Sequence, residues 1–218
     1  MKIGVTGGNG NLGKVIISEG KKLDYDMNII ESSEELEKSN CDVYIDCTNR
    51  LAFLNNLEIY FKKLKPIVIA TTGFNEEDEI RIKELSKYIS IMKVTNFCIG
   101  AYKYLKLIEE ATKLYGLEYD IVITDKHQKY KKDNISGTAY NIEKSIHNII
   151  PEKKVSFSSI RAGGIVAEHE TIFVNDNNEQ IIISHKIFNR ETFAIGALKA
   201  TFWIKDKLNG IYILDDML

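Results

Sequence analysis

Short apolar runs alternate with amphipathic stretches over residues 2–94. Each apolar run is typical of a buried strand and each amphipathic stretch of a helix, so the alternation predicts successive βαβ units. The predicted strands are Lys2–Thr6, Asn28–Glu31, Val43–Cys47, Ile67–Ala70 and Ile91–Val94, and the predicted helices are Leu12–Glu19, Leu51–Leu64 and Glu76–Tyr88. In the last of these helices the spacing points Ile80, Ile82 and Leu85 inward. This part of the chain is therefore predicted to form a doubly wound parallel sheet.

The pattern changes beyond residue 100. Helices are predicted at Tyr104–Tyr115 and Gly137–Ile150, and strands at Tyr119–Thr124, Val155–Ile160, Glu170–Val174 and Gln180–His185. Because strands follow one another directly here, they indicate a mostly antiparallel sheet, with a hairpin turn at Asn175–Asn178. A last helix, Glu191–Leu208, is expected to pack back on the first sheet. The predicted fold class is α/β, with a Rossmann-like parallel sheet formed by 1–98 and 190–218 and an α+β domain formed by 99–189.

Composition and charge exclude several classes of protein. The 218 residues include 29 Lys and Arg against 31 Asp and Glu, and the formal net charge of −2 lacks the basic excess of a nucleic-acid-binding protein. No apolar run approaches the ~20 residues that a membrane-spanning helix needs. Cys41, Cys47 and Cys98 contain no C-x-x-C pair, which argues against a disulfide scaffold or a zinc knuckle. Since the amino terminus also shows no signal peptide, we expect a cytoplasmic protein without membrane or nucleic-acid partners.

A glycine-rich segment lies between the first predicted strand and the first predicted helix. It reads Gly7-Gly8-Asn9-Gly10-Asn11-Leu12-Gly13 and satisfies both G-x-x-G-x-x-G and G-x-G-x-x-G. Such glycines allow a tight turn and a close approach of the backbone to a pyrophosphate, and the following helix presents unpaired N–H groups to it. Glu31, at the end of the second strand, is placed to accept hydrogen bonds from an adenine ribose. A glycine-rich turn without a ligand is the alternative.

The same acidic residue bears on which nucleotide would bind. A carboxylate would repel a 2′-phosphate, and Ser32 and Ser33 follow Glu31 in place of a basic residue. We therefore expect NADH to be preferred, with NADPH as the second cofactor.

Two further strand ends lie on the side where open α/β sheets bind ligands. They comprise Ala70, Thr71 and Thr72 after one strand and Thr95, Asn96, Phe97 and Cys98 after another. These residues could contact the nicotinamide half of the cofactor, or they could form ordinary turns.

The segment from Asp125 to Ala139 concentrates cationic side chains. Four lysines and a histidine fall within residues 126–132, just before a serine that can cap the next helix. Lysine charge, the Ser136 hydroxyl and the N–H groups of Gly137 and Thr138 together suit a small polyanion such as a dicarboxylate. His127 and Lys131 lie four residues apart. A solvated run of charge is the alternative interpretation.

This segment resembles the dihydrodipicolinate reductase family of lysine biosynthesis, whose pattern E-x-H-H-x-x-K-x-D-x-P-S-G-T-A is matched from Asp125 to Ala139. The resemblance continues through residues 160–169, His185, Arg190 and residues 193–198. It implies a homotetramer that transfers a hydride from NAD(P)H to a cyclic dicarboxylate imine, giving tetrahydrodipicolinate. It further implies that His127 is the acid or base and that Lys131 donates a proton. The residues implied to bind substrate are Gln128, Ser136, Gly137 and Thr138.

Four positions depart from the family pattern. Gln128 replaces the second histidine and cannot carry a positive charge, so Lys126 or Lys129 would have to supply it. Ile135 replaces the proline, which should loosen the approach to the Ser-Gly-Thr turn. Asp125 and Ala70 replace a glutamate and a glycine. A relative that binds NADH and a dicarboxylate without turnover, acting as a sensor or assembly partner, is therefore an alternative function.

A short-chain dehydrogenase is a further alternative. Short-chain dehydrogenases share the glycine pattern and use a Tyr-x-x-x-Lys pair, which occurs at Tyr102/Lys106 and Tyr140/Lys144. They keep a single doubly wound domain, whereas residues 119–186 are predicted to be mostly antiparallel. His147 is expected at the surface, and His169 and His185 in strands. Because no cysteine or carboxylate lies at ligand spacing from them, we expect no metal site.

Overall fold

The computed structural model describes all 218 residues and divides into two compact units. Unit 1 comprises Met1–Cys98 and Arg190–Leu218, and unit 2 comprises Ile99–Asn189. No helix of the chain has the length and apolar content needed to span a membrane.

The first segment of unit 1 alternates strands and helices, as predicted. Its elements are β1 (Lys2–Thr6), α1 (Asn11–Lys22), β2 (Asp26–Ile30), α2 (Ser33–Lys38), β3 (Val43–Asp46), α3 (Arg50–Lys63), β4 (Ile67–Ile69), α4 (Glu76–Leu85) and β5 (Ser90–Lys93). Every residue of β3 and β4 is buried, as befits central strands of a parallel sheet with both faces covered. Ile80 was wrongly predicted to face inward: it is 63% exposed, whereas Ile82 and Leu85 form the buried face of α4.

Unit 2 combines two helices with a four-stranded sheet. Its elements are α5 (Ile99–Tyr115), β6 (Asp120–His127), α6 (Gly137–Ile149), β7 (Val155–Arg161), β8 (Ala167–Val174) and β9 (Gln180–Ile187). The strand order is β7-β6-β8-β9. The pairs β6–β8 and β8–β9 are antiparallel, which confirms the predicted character of the sheet, while β6 and β7 are parallel because α6 crosses between them.

The last segment returns to unit 1 and completes its sheet. It contains α7 (Glu191–Ile204), β10 (Gly210–Tyr212) and α8 (Leu214–Met217). The sheet order is β10-β5-β4-β3-β1-β2, with every pair parallel. The sequence pattern missed α2, α8 and β10, which are too short to show a period. It also extended α7 to Leu208, whereas the helix ends one turn earlier at Ile204.

Helix α7 packs closely against the sheet of unit 1. Ala194, Ala197 and Leu198 join the apolar cluster on the face of the sheet that α1 also covers. A Cβ atom at Gly196 would lie 1.8 Å from the backbone oxygen of Phe97, so only glycine permits this approach. The opposite face of the sheet is covered by α2, α3 and α4. The sheet is therefore doubly wound, as the sequence predicted.

A buried carboxylate links the carboxyl ends of three strands in unit 1. Asp46 has no exposed surface, and its two oxygens accept hydrogen bonds from four hydroxyl groups. The donors are Thr6 Oγ1 at 2.8 Å, Thr48 Oγ1 at 2.8 Å, Tyr60 OH at 2.9 Å and Thr71 Oγ1 at 2.6 Å. Burial, followed by the charge of Asp46, raises the pKa of Tyr60 well above its usual value, so this hydroxyl remains a donor. These bonds hold the ends of β1, β3 and β4 in one arrangement.

We expect Tyr60→Phe to destabilise the protein measurably. The substitution removes one donor from a buried carboxylate, and a hydrogen bond to a charged group contributes about 1.5–3 kcal/mol. Urea unfolding followed by circular dichroism should show the free energy of unfolding reduced by about that amount. Tyr88→Phe is the matched control, since Tyr88 is 56% exposed and its loss of a hydroxyl should have little effect. Equal losses in both variants would contradict the assignment.

Candidate active site

The glycine-rich turn of unit 1 is built for close backbone contacts. Gly7 has a φ of 75°, which favours glycine. A Cβ atom at Gly13 would lie 2.3 Å from the backbone oxygen of Gly7, so no side chain fits between the turn and α1. Helix α1 begins after Gly10 without a side-chain cap, whereas α2, α3, α4 and α6 are capped by Ser32, Asn49, Asn75 and Ser136. The first N–H groups of α1 are therefore available to an anion such as a pyrophosphate.

A cavity of about 200 Å³ opens beside this turn at the carboxyl ends of β1 and β2. Its lining residues are Thr6, Gly7, Ile30, Glu31, Ser32, Ser33, Thr48, Ala52, Asn55 and Asn56. The Glu31 carboxylate lies at its wall and accepts a hydrogen bond from the backbone N–H of Asn9 at 2.9 Å. Glu31 is identifiable from the sequence, but the three residues from α3 are not, because nothing in their pattern differs from an ordinary helix face. The cavity places hydroxyl and carboxylate groups where a ribose could be held.

The strand-end residues predicted to contact cofactor differ in what they present. Thr72 and Thr95 are exposed at the carboxyl edge of the sheet. In contrast, the Thr71 hydroxyl is committed to Asp46, and Phe97 and Cys98 are buried. Asn96 Oδ1 accepts a hydrogen bond from the Cys98 N–H at 2.9 Å. Thr71 and Asn96 thus shape this edge of unit 1 through their own side-chain bonds.

Unit 2 gathers the motif residues where β6 ends and α6 begins. Asp125 and His127 point to the same face of β6, since they are two residues apart in a strand. Across the antiparallel pair, His169 of β8 lies directly opposite Asp125. The Asp125 Oδ1 atom lies 2.9 Å from His127 Nδ1 and 3.2 Å from His169 Nε2. Its Oδ2 atom accepts hydrogen bonds from the Ser136 N–H at 2.8 Å and from Arg161 Nη2 at 2.9 Å.

This arrangement keeps the Asp125 carboxylate ionised although it is buried. Burial alone would raise the pKa of the carboxyl group. The bonds from His127, His169, Arg161 and the Ser136 backbone outweigh burial and hold the pKa well below its usual range.

The amino terminus of α6 presents the predicted anion site in part. Ser136 is buried, and its Oγ accepts a hydrogen bond from the Ala139 N–H, so its side chain caps the helix as predicted. The same hydroxyl lies 3.2 Å from His169 Nε2. Gly137 faces open space, and the first N–H groups of α6, at Gly137 and Thr138, have no partner within the helix. These two N–H groups are the donors that an incoming carboxylate would meet.

Arg161 holds the loop that precedes α6. Its guanidinium donates to the backbone oxygens of Asp125, Asp133 and Asn134, at 2.8 to 3.3 Å, as well as to the Asp125 carboxylate. The Ser159 hydroxyl also donates to the Asn134 backbone oxygen. Ile135 packs against the apolar cluster of unit 2. The loop is thus anchored by bonds and burial at the position where the family pattern has a proline.

The lysines of the Asp125–Ala139 segment have different partners. Lys126 points to the opposite face of β6 from Asp125 and His127, and it pairs with Glu168 at 2.7 Å and Glu170 at 3.2 Å. It was therefore wrong to consider Lys126 as a source of charge beside Gln128. Lys129 is exposed and lies 4.7 Å from the centre of the Tyr130 ring.

Lys131 lies in the turn that follows β6. Its N–H donates to the Gln128 backbone oxygen at 3.1 Å, and its Nζ is 3.1 Å from Asp133 Oδ2. The carboxylate of Asp133 is largely exposed, so it can move aside when an anion arrives. Gln128 Oε1 accepts a hydrogen bond from the Tyr130 N–H at 3.3 Å.

Asp125, His127 and His169 bear on the expectation that the chain has no metal site. Nitrogen and oxygen atoms of Asp125, His127 and His169 lie within 4.8 Å of one another, a grouping of metal-ligand types that sequence spacing missed because it is formed across strands. Arg161 and the Ser136 N–H already neutralise the carboxylate, so the group has the charge balance of an ion-pair network.

The other two histidines lie outside this group. His185 lies opposite His169, and burial lowers the pKa of His185. His147 is half-buried, with Nε2 2.9 Å from the Lys153 backbone oxygen.

The stability that Asp125 contributes should depend on pH in one direction. Because its folded-state pKa lies below the ordinary value of about 3.9, the stabilisation is complete above that value and is lost as the pH falls below it. We expect the free energy of unfolding of the wild type to exceed that of Asp125→Asn by a margin that shrinks between about pH 5 and about pH 3. Urea unfolding at each pH measures the margin, and a margin that stays constant would contradict the assignment.

Comparison with known proteins identifies the family of the chain. The family model described as "Dihydrodipicolinate reductase, N-terminus" matches residues 19–97, and the one described as "Dihydrodipicolinate reductase, C-terminus" matches residues 100–218. The 4-hydroxy-tetrahydrodipicolinate reductase of Buchnera aphidicola subsp. Schizaphis graminum is 31% identical over a 264-residue alignment that covers 100% of this chain and 96% of that protein. The enzyme of the same name from Buchnera aphidicola subsp. Baizongia pistaciae is 36% identical over 210 residues, covering 87% and 77%.

Solved structures show the same fold. The dipicolinate-bound dihydrodipicolinate reductase from Paenisporosarcina sp. TG-14 superposes with a TM-score of 0.80 at 19% identity, covering 100% of this chain and 99% of that one. The apo scyllo-inositol dehydrogenase from Lactobacillus casei reaches only 0.60 at 10% identity, covering 97% and 90%. The family resemblance and the two-part fold predicted from the sequence are therefore confirmed. The chain belongs to the dihydrodipicolinate reductase family.

Proposed function

We propose that this chain is an NAD(P)H-dependent 4-hydroxy-tetrahydrodipicolinate reductase, which forms tetrahydrodipicolinate in lysine and diaminopimelate biosynthesis. The observation that carries the proposal is the group of motif residues in unit 2. His127 ends β6, Lys131 lies four residues later in the turn that follows, and the N–H groups of Gly137 and Thr138, which have no partner within the helix, open α6. Cationic groups beside an anion-binding helix terminus suit a cyclic dicarboxylate. Membership of the reductase family supports the same reaction.

Unit 1 is proposed to bind the nicotinamide nucleotide, which supplies the hydride. Its glycine turn and the uncapped start of α1 would hold the pyrophosphate, through Gly7, Gly8, Asn9, Gly10, Asn11 and Leu12. The Glu31 carboxylate, beside the cavity, would accept hydrogen bonds from the adenine ribose and repel a 2′-phosphate. The exposed Thr72 and Thr95, beyond the ends of β4 and β5, would meet the nicotinamide half, and Ala70, Thr71, Asn96, Phe97 and Cys98 would shape the edge of the sheet around it. On this basis NADH is the preferred cofactor.

Unit 2 is proposed to bind substrate and to deliver a proton. Loss of the 4-hydroxyl group as water gives the unsaturated imine. The hydride then adds to carbon, and the electron pair that this leaves must accept a proton. A positioned acid contributes about 10²–10⁴-fold to such a step. Lys131 stands at the lysine position of the family pattern and is the proposed proton donor, and His127 can exchange a proton at the ring nitrogen that does not face Asp125. Gln128 adds an uncharged hydrogen-bonding group.

The outer face of the unit 2 sheet supports the proposed homotetramer. Helices α5 and α6 pack on one face, where the apolar cluster of the unit lies. The other face carries Val122, Ile172 and Ile182 in register across three strands, and Ile182 is 51% exposed. An apolar stripe of this kind is typical of a surface that associates with another copy.

We also propose that the enzyme is cytoplasmic.

The reaction is tested by NADH oxidation with purified protein, with substrate made in situ by dihydrodipicolinate synthase from pyruvate and aspartate semialdehyde. We expect turnover in the wild type and a fall in kcat of about 10²–10⁴-fold in Lys131→Ala, because the acid is lost. Lys144→Ala is the matched control: Lys144 is exposed on α6 and belongs to one of the Tyr-x-x-x-Lys pairs. Tight NADH binding without turnover would contradict the proposal and favour a sensor. A loss confined to Lys144→Ala would favour a short-chain dehydrogenase mechanism.

Cofactor preference is tested at Glu31. We expect Glu31→Gln to raise the ratio of kcat/KM with NADPH to kcat/KM with NADH by about tenfold, since the repulsion of a 2′-phosphate and the acceptor for the ribose are both weakened. Steady-state kinetics with both nucleotides measure the ratio. Glu34→Gln, an exposed carboxylate in the first turn of α2, should leave it unchanged. An unaltered ratio in Glu31→Gln would remove Glu31 from the ribose site.

A further inference from the structure

Asp125 contacts both His127 and the turn that opens α6, which are the two parts of the proposed substrate site, although only 1% of Asp125 is exposed. It lies on β6 between three other elements, and each supplies a partner. His169 comes from β8, Arg161 from the end of β7, and Ser136 from the turn that opens α6. The fourth partner, His127, is the next residue on the same face of β6. No other carboxylate in unit 2 is both this deeply buried and in contact with the motif residues.

The carboxylate is unsuited to exchange protons with a substrate itself. It is closed off from solvent, and cationic or N–H groups lie at both of its oxygens. These partners hold the pKa of Asp125 well below its usual range, so the group remains an anion through a catalytic cycle. Any effect of Asp125 on the reaction must therefore pass through the groups that it holds.

We propose that Asp125 is a positioning residue of this enzyme, an inference that rests on the proposed function. Its Oδ1 atom lies 2.9 Å from His127 Nδ1 and thereby favours the ring tautomer in which Nδ1 carries the proton, which leaves Nε2 available to substrate. Its Oδ2 atom holds the Ser136 N–H and thereby sets the position of the first turn of α6. One side chain thus aligns the proton-exchanging group with the N–H groups that bind the substrate carboxylate.

The two oxygens have distinct requirements, and this makes the proposal testable by an isosteric change. Arg161 and the Ser136 N–H are donors that cannot accept, so Oδ2 must stay an oxygen. In Asp125→Asn the amide group would therefore face His127 Nδ1, and that nitrogen would become an acceptor. The ring would then carry its proton on Nε2. A base or acid held in the wrong tautomer loses much of its catalytic effect.

Histidine ring spectroscopy tests this consequence without turnover. Two-dimensional ¹H–¹⁵N spectra in alkaline buffer distinguish the two neutral tautomers, and the chain has 4 histidines, so His127→Gln assigns the signal. We expect the Nδ1–H form of His127 in the wild type and the Nε2–H form in Asp125→Asn. Asp125→Glu restores the charge with the residue of the family pattern and should restore the Nδ1–H form. The same tautomer in the wild type and in Asp125→Asn would overturn the proposal.

Kinetics provide the second readout, at a temperature where circular dichroism shows every variant to be folded. We expect Asp125→Asn to lower kcat by about 10²–10⁴-fold, with KM for the imine within about threefold because the oxygen that holds α6 is retained. Asp125→Glu should recover most of kcat. Asp120→Asn is the matched control, an exposed aspartate at the start of the same strand, and should behave as the wild type.

The outcomes separate this inference from the proposed function. A wild type that binds NADH but does not reduce the imine would refute the function, and the tautomer spectra would still decide the role of Asp125. An active wild type with Asp125→Asn retaining kcat within about threefold would refute the positioning role alone. Equal losses in Asp125→Asn and Asp125→Glu, with no change of tautomer, would show that Asp125 serves stability only.

Discussion

Each unit contains a buried carboxylate whose oxygens face hydrogen-bond donors or cationic groups, and the arrangement of each candidate site depends on it. An ionised carboxylate away from water is costly unless its oxygens meet donors or positive charge. Asp46 in unit 1 meets four hydroxyl groups, and Asp125 in unit 2 meets two imidazoles, a guanidinium and a backbone N–H. The donors come from different strands and helices. The ends of those elements must therefore assemble together or leave a charge without partners.

Both carboxylates lie toward the carboxyl ends of inner strands, which is where parallel βαβ connections bring helix amino termini. Asp46 ends β3, a central strand of the six, and Asp125 lies near the end of β6, from which α6 leads to the parallel partner β7. Helix amino termini favour anions. Unit 1 leaves the start of α1 without a side-chain cap, whereas in unit 2 Ser136 caps α6 but leaves the N–H groups of Gly137 and Thr138 to an external carboxylate. The same backbone geometry is thus available to an anion in each unit.

The departures from the family pattern are accommodated by tertiary contacts. Ile135 stands where the pattern has a proline, yet the loop around it is anchored by the Arg161 guanidinium and by the packing of Ile135 itself. Asp125 is shorter than the glutamate of the pattern but reaches all four of its partners. Gln128 has no compensating charge from Lys126, whose side chain pairs with glutamates on the far side of the sheet. The proposed substrate site therefore carries less positive charge than the basic segment of the sequence suggested.

The sequence by itself determined the features that depend on neighbouring residues. The alternation of apolar and amphipathic stretches predicted the doubly wound sheet, and the glycine spacing and the Asp125–Ala139 motif identified both candidate sites, because turns, caps and periodicity are local properties. Only the tertiary structure decided which side chains share a face and which strands are neighbours. The pleat of β6 turned Lys126 away from His127, and the register of β8 placed His169 opposite Asp125. The short strand β10 paired with β5, and residues of α3 closed the cavity beside Glu31. These outcomes depend on strand pairing and helix packing between distant segments, which no local pattern encodes.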